Sequence, residues 1–359
     1  MMDDRNNETA QLSLARLVVE EITGQSFSGV KTTVGPLMTN YFSFVFSIET
    51  QTDREPKQIF VKIPKEDLRQ RAKSIFPISA VDRTMAEDEE RSLRALGEEW
   101  RSGDLDVSWI QLRGVFPQYN AIATEAVQGE DALAVFRRMD MRRRFGASQD
   151  RVRLCRTMAR LGAALGRFHQ RGAQDTVFRL NETLPKLEGY CRKLEASVRS
   201  PWPNYAIQAL AARANLEIAA KEVTTLKGID IRNVLMGERD KLFLLDPGRM
   251  KRTCREADLA RFIMTYRILY WGSGWFFLRL RPDLQGEEQF LQAYYSNSAP
   301  PSPKLLSIYL IKEQLKHWHT ATESLRLRRW AKPLKGLIQS TYINPYYSRQ
   351  LAVELKTLM

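Results

Sequence analysis

Cysteine and histidine are both scarce in this chain of 359 residues, with three of each. Cys155, Cys191 and Cys254 are odd in number, far apart and form no CxxC pair. That excludes a disulfide framework and a cysteine-built zinc site, and predicts reduced thiols in a cytoplasmic protein. His317 and His319 stand two apart, so on a helix they point to different sides, and no cysteine or carboxylate cluster accompanies them as co-ligands. An export signal is not expected, because the N-terminus (Met-Met-Asp-Asp-Arg-Asn-Asn-Glu) is polar and acidic where such a signal is basic and then apolar. Long apolar runs are missing as well. The most apolar stretch, Phe262 to Leu280, is broken by Arg267, Gly272, Ser273 and Gly274, which predicts a buried or interfacial helix rather than a membrane span. Repeats and low-complexity tracts are not evident.

What is present fits a globular protein: 43% hydrophobic and 27% charged residues. The length exceeds what one hydrophobic core usually supports, so two lobes are expected. With 55 basic against 42 acidic residues the net charge is +13, a bias toward anionic partners such as nucleotides, phosphorylated substrates, anionic lipid or nucleic acid.

The first thirty residues predict a helix carrying Leu12, Leu14, Leu17 and Val18 and closed by Gly24. In Tyr41 to Ile48, Phe42, Phe44, Phe46 and Ile48 alternate with Ser43 and Ser47, the period-two pattern of a half-buried strand. Ile59 to Ile63 reads as a second strand, stopped by Pro64, with Lys62 as its one charge. Met85, Glu89, Leu93, Leu96 and Trp100 form one stripe of an amphipathic helix, which places Glu89 on the apolar face. Ala121 to Val127 reads as another strand. Beyond Gly129 helices dominate, among them a long one through Leu154, Met158, Leu161, Leu165 and Phe168, ending near Gly172.

Between Asn233 and Asp246, two apolar runs (Val234 to Met236, Leu242 to Leu245) flank the turn residues Gly237 to Asp240, predicting a hairpin. A turn centred on Arg239 and Asp240 would set Asn233 opposite Asp246. An amide oxygen and a carboxylate so placed could share one hard cation such as magnesium; two ordinary strand-end polar residues are the alternative.

A strand lysine, a helix glutamate on an apolar face, a hinge strand, a long helix and a hairpin bearing Asn and Asp follow one another in an order that resembles the protein kinase-like fold. Within it, the stretches Glu89 to Leu96, Thr124 to Glu130, Leu161 to His169 and Glu256 to Phe262 resemble those of the aminoglycoside phosphotransferase and choline kinase-like group. The resemblance runs from about Val30 to Phe262. It implies a two-lobed α+β fold, with an antiparallel-sheet N-lobe (residues 1–128) and a larger helical C-lobe (residues 129–359). It also implies that Lys62 and Glu89 position nucleotide phosphates, that Glu125 lies at the adenine hinge, that Asn233 and Asp246 hold magnesium, and that Asp258 braces the catalytic loop. Two departures stand out. The group's catalytic loop usually carries an aspartate five residues before the asparagine, and here that position is Gly228. The phosphate-covering segment Gly35 to Asn40 has a single glycine, leaving backbone amides and the Thr39 or Asn40 side chain to meet phosphate.

The expectation is therefore an ATP- and magnesium-dependent phosphotransferase acting on a hydroxyl of a small molecule, sugar or glycolipid. Asp230 would supply the loop carboxylate, with Lys227 or Arg232 offsetting phosphate charge. A catalytically silent nucleotide-binding scaffold is the alternative, and a basic membrane-surface or nucleic-acid-binding protein a third; no nucleic-acid motif supports the last. Basic clusters at Arg137, Arg138, Arg142, Arg143 and Arg144 around Phe136 and Phe145, and at Arg326, Arg328, Arg329, Lys332 and Lys335 around Trp330, read as solvated faces or as a rim for anionic acceptor or phospholipid at the inner face of a membrane. Tyr270, Trp271, Trp275, Phe276 and Phe277, with Arg279 and Arg281, read either as an acceptor-selecting region or as plain core packing.

Overall fold

The structure, a computed structural model, describes residues 2–40, 42–51, 56–66, 74–99, 106–144, 148–198, 200–268, 284–296, 299–300, 302–327 and 334–358. In chain order the elements are α1 (Met2–Thr23), β1 (Lys31–Val34), β2 (Met38–Thr39), β3 (Ser43–Gln51), β4 (Pro56–Pro64), α2 (Ala80–Glu99), β5 (Val107–Trp109), β6 (Leu112–Phe116), β7 (Ala121–Glu125) and β8 (Glu130–Asp131). There follow α3 (Ala132–Arg144), α4 (Ser148–Gln170), β9 (Gln174–Arg179), α5 (Leu180–Glu195), α6 (Trp202–Ala211), β10 (Glu217–Leu226), β11 (Val234–Met236), β12 (Leu242–Leu244) and β13 (Met250–Cys254). The chain continues through α7 (Glu256–Tyr266), α8 (Gln285–Tyr295), α9 (Pro303–Leu327), α10 (Lys335–Ile338) and α11 (Asn344–Leu358).

Two compact units divide the chain. The first takes residues 1–131, 226–228 and 233–250, the second residues 132–225, 229–232 and 251–359. The first is built on an antiparallel sheet in the order β1-β3-β4-β7-β6, with β2 following β1 along the same edge of β3. Alternation decides its two faces. Phe44, Phe46 and Ile48 of β3 and Ile59, Val61 and Ile63 of β4 pack with Leu14, Ala15, Val18 and Val19 of α1. The residues between them, Lys62 among them, are left for the opposite face. There α2 packs, with Ala86 and Leu93 buried on Ile122 of β7. A second sheet, β5-β12-β11-β8, contains one parallel pair, β12 with β5.

The second unit is mainly helical. It carries the small sheet β13-β10-β9 and a core in which Ile308, Ile311, Leu315 and Trp318 of α9 meet Leu187 and Cys191 of α5, Ala260 and Ile263 of α7, and Leu351 and Leu355 of α11. The fold is thus the two-part α+β kinase-like one that the order of motifs implied.

Several local expectations need correction. The strand at Phe42 starts one residue later, at Ser43, so Phe42 is exposed while Ser43 is buried. Leu12 is likewise exposed, because α1 turns Leu14, Ala15, Val18 and Val19 inward. Phe136 frames no basic surface: it is fully buried in α3, edge-on to Tyr266. Trp318 separates its two flanking histidines as a core residue stacked on Tyr347. Among the described residues no group of three or more His, Cys, Asp or Glu could hold a metal ion, and no helix is long and apolar enough to cross a membrane. Trp100, the aromatic and basic stretch from Tyr270 to Arg281, Phe145 and Trp330 lie outside the described residues, as do the side chains of Arg143, Arg144, Arg326, Arg328, Arg329, Lys332 and Lys335.

Candidate active site

Lys62 leaves β4 on the face that α2 covers, and of the three neighbouring glutamates on α2 only Glu89 is buried; Glu87 is exposed and Glu90 half-exposed. Helical spacing settles this, since Glu89 shares its stripe with Leu93 and Leu96. Lys62 Nζ lies 2.9 Å from Glu89 Oε1 and 2.8 Å from Oε2, and 3.0 Å from Asp246 Oδ1. Burial alone would draw the lysine's pKa down, but the charges and hydrogen bonds of Asp246 and Glu89 outweigh it and hold the ammonium above its ordinary value. Glu89 is pushed the other way: burial, assisted by the negative charge of Asp246, raises its pKa against the pull of Lys62. One cation between two carboxylates leaves surplus negative charge at a place where Asp246, 47% exposed at its side chain against 22% for Lys62 and 8% for Glu89, is the group most open to solvent.

Asp246 owes this aim to its backbone. Its φ is +46°, in the left-handed region that Asp and Asn tolerate better than most residues, and Gly248 two residues on has φ +60°. The hairpin before it closes differently from the sequence expectation. Arg239 and Asp240 both take positive φ and Gly237 N–H donates to Lys241 O at 2.8 Å, so a three-residue loop centres on Arg239. Val234 accordingly pairs with Leu244, and Asn233 stands opposite Leu245, whose N–H donates to Asn233 O at 2.7 Å. Asn233 reaches the Asp246 backbone through its side chain instead: Nδ2 donates to Gly228 O at 2.9 Å and, at 3.5 Å, to Asp246 O. This turns the amide oxygen of Asn233 and the second carboxylate oxygen of Asp246 away from those bonds. An amide oxygen and a carboxylate oxygen are hard donors that fit a hard cation.

The other expected residues divide. Thr39 pairs with Phe44 and Met38 with Val45, which itself pairs with Lys62, so Met38 is on the lysine's face of the sheet; both residues of this short edge strand are exposed. Asn40 N–H donates to Ser43 O at 2.8 Å, and its side chain is exposed. The Glu125 carboxylate accepts from Gln111 N and from Arg113, each at 3.1 Å, tying it to the chain entering β6.

In the loop after β10, a Cβ built on Gly228 would fall 1.7 Å from the Asp246 carbonyl oxygen, and Gly228 N–H donates to Pro247 O at 2.8 Å. No side chain fits there. Lys227 is exposed beside it. Asp230 is buried and accepts 2.9 Å bonds at Oδ1 from the backbone N–H and the Nε of Arg232, whose terminal nitrogen takes Oδ2. Asp258 is fully buried on α7, where Oδ1 accepts from Arg261 at 3.1 Å and Oδ2 lies 3.3 Å from His169 Nε2. His169 Nδ1 is 2.9 Å from the Tyr294 hydroxyl, so the histidine at the end of α4, to which no role was assigned from sequence, links α7 to α8. Its only signal in the sequence was its place at the end of the long amphipathic stripe.

This arrangement of a lysine strand, a glutamate helix and an Asn/Asp hairpin defines a protein kinase-like fold, and solved structures agree. A choline kinase from Cryptosporidium parvum Iowa II superposes with TM-score 0.53 at 10% identity, over 96% of this chain and 94% of that one. A choline kinase from Streptococcus pneumoniae gives 0.51 at 15% identity, over 95% and 99%. A thermostable mutant of the aminoglycoside phosphotransferase APH(4)-Ia, in a ternary complex with AMP-PNP and hygromycin B, gives 0.51 at 11% identity, over 96% and 98%. No family model matches the chain, and no curated protein matches it in sequence.

Proposed function

We propose that the protein is an ATP-dependent phosphotransferase acting on a hydroxyl of a small molecule, sugar or glycolipid. The observation that carries this reading is Lys62 held between Glu89 and Asp246. A buried ion pair is a poor source of stability, so three charges gathered at one partly open point are better accounted for by a ligand. Lys62, fixed by Glu89, would hold the α and β phosphates, and Asn233 and Asp246 would present their free oxygens to the metal. A magnesium ion held by these two residues would supply positive charge to offset that developing on the phosphates. Phosphoryl transfer rests mainly on positioning and electrostatics, so the chain's contribution lies in these fixed side chains. Asp230, three residues before Asn233, is the loop's carboxylate for the acceptor proton. Lys227 and Arg232 would offset phosphate charge, Glu125 and the β2 edge at Thr39 and Asn40 would border the nucleotide, and Asp258 would brace the loop from α7. The structural neighbours carry choline or an aminoglycoside in their names, which supports a small acceptor without selecting one.

A silent nucleotide-binding protein remains a second reading because of one observation: both oxygens of Asp230 are engaged by Arg232. Calorimetry with ATP and magnesium, followed by ATP consumption against a panel of hydroxylated acceptors, separates the readings. Magnesium-dependent binding with turnover is expected; binding without turnover on any acceptor favours the silent protein, and no binding ends both.

A further inference from the structure

Lys312, on α9, is buried to 8% exposure. A buried ammonium normally has a carboxylate or several carbonyl oxygens around it. Among the described residues Lys312 has no hydrogen bond or ion pair; its Nζ sits 5.1 Å above the Tyr309 ring. The neighbouring carboxylate, Glu313, is already taken by Lys316 at 2.8 Å. The other charges acting on Lys312 are positive: Lys186 of α5, Lys251 of β13 and Arg261 of α7, and Arg261 is itself paired with Asp258. Burial first, and then those cations, outweigh the opposing pull of Glu313 and draw the lysine down to about 8. Five residues further along, about 140° around the helix from Lys312, His317 has its Nε2 buried with no hydrogen-bond partner, 3.8 Å from the Glu313 oxygen that Lys316 also meets. Asp230 and Arg232 act on His317 electrostatically, so His317 is the member of this group that senses the loop carboxylate.

We propose that Lys312, Lys316 and His317 of α9, with Lys251 and Arg261, form the receptor for a phosphate group on the acceptor and hold it next to Asp230. An oxyanion there would give Lys312 its missing counter-charge, find N–H donors on Lys316 and Arg261, and complete His317. Arginine and lysine drawn from several elements are the usual donors to phosphate. The acceptor would then be anionic, in contrast to the choline and aminoglycosides of the structural neighbours' names. The word acceptor rests on the phosphotransferase reading; the anion site does not.

Calorimetric titration of inorganic phosphate into the full chain without nucleotide tests it. Wild type should bind, and Lys312→Met should weaken binding at least about tenfold, the scale of one charge-assisted contact. Lys251→Glu, an exposed change, should weaken it too. Lys31→Met, an exposed change on β1, should leave phosphate affinity as it is. Equal affinity in Lys312→Met, an equal loss in Lys31→Met, or no binding of phosphate by wild type in either free or lipid-borne form would overturn the proposal. The source of the phosphate is read with two further probes. Binding of glycerol 3-phosphate that needs Lys312 assigns it to a soluble acceptor, and Lys312-dependent capture by phosphatidic acid vesicles assigns it to a lipid. ATP binding is measured in parallel. Phosphate bound through Lys312 by a chain that binds no ATP would keep the anion site and remove the phosphotransferase reading, whereas ATP binding with Lys312-independent phosphate would do the reverse.

Discussion

The carbonyl oxygen of Asp246 occupies the place where a side chain on Gly228 would begin, 1.7 Å from an ideal Cβ. The loop and the end of the hairpin therefore approach each other backbone to backbone. An aspartate at 228 is excluded by this packing, so Gly228→Asp would not restore a catalytic base. It would drive Asp246 away from Lys62. Even Gly228→Ala should cost about 3 kcal/mol or prevent folding, since backbone cannot yield as a side chain can. Urea denaturation measures this, and wild-type stability in Gly228→Ala would show that the loop takes another path.

Asp246 is best tested by Asp246→Asn. At φ +46° asparagine is tolerated, whereas alanine would add backbone strain of roughly 1 kcal/mol that has nothing to do with metal. The melting temperature should stay within a few degrees, because the side chain is 47% exposed. Magnesium-dependent ATP affinity should fall at least about tenfold, the effect of losing one charged contact. Unchanged affinity would remove Asp246 from the metal site.

Asp230→Asn should lower turnover by roughly 10²- to 10⁴-fold, the usual contribution of a positioned base, while ATP affinity stays at the wild-type value. Arg232→Ala provides the complementary measurement. It releases Oδ2 and leaves Oδ1 with only the backbone N–H of residue 232, so a catalytic Asp230 should respond with a change in rate and a structural one with a lower melting temperature alone.

Lys312 gives a prediction for stability against pH. Its pKa falls from 10.5 to about 8 on folding, so between these values the unfolded chain binds more protons than the folded one. Stability should rise with pH across that window, and the penalty is fully present below about 8. At neutral pH it is on the order of 3 kcal/mol. Lys312→Met should therefore raise the melting temperature at pH 7 in the absence of ligand, and the gain should vanish near pH 10. A variant less stable than wild type at pH 7 would contradict the missing counter-charge.

Local periodicity determined much of the sheet-bearing unit. Alternation in β4 put Lys62 opposite Ile59, Val61 and Ile63, and helical spacing in α2 put Glu89 inward, because both patterns depend only on neighbours a few residues away. The hairpin at Val234 to Leu244 was legible as a hairpin, but its register was not: positive φ at Arg239 and Asp240 shifted the turn by one residue and moved Asn233 opposite Leu245. The face that Thr39 takes was not legible for a related reason, since it is decided by pairing with Phe44 and not by its own composition. Gly228 read as a missing aspartate, whereas the close approach of Asp246 shows a glycine required by packing. The basic face of α9 was invisible altogether. Lys186, Lys251, Arg261 and Lys312 are distant in sequence and individually ordinary, and only the packing of α5, β13, α7 and α9 in one unit brings their charges within reach of each other. A charge pattern along a chain reports what is near in sequence. The energy of an unpaired buried cation depends on what is near in space, and that was set by tertiary structure alone.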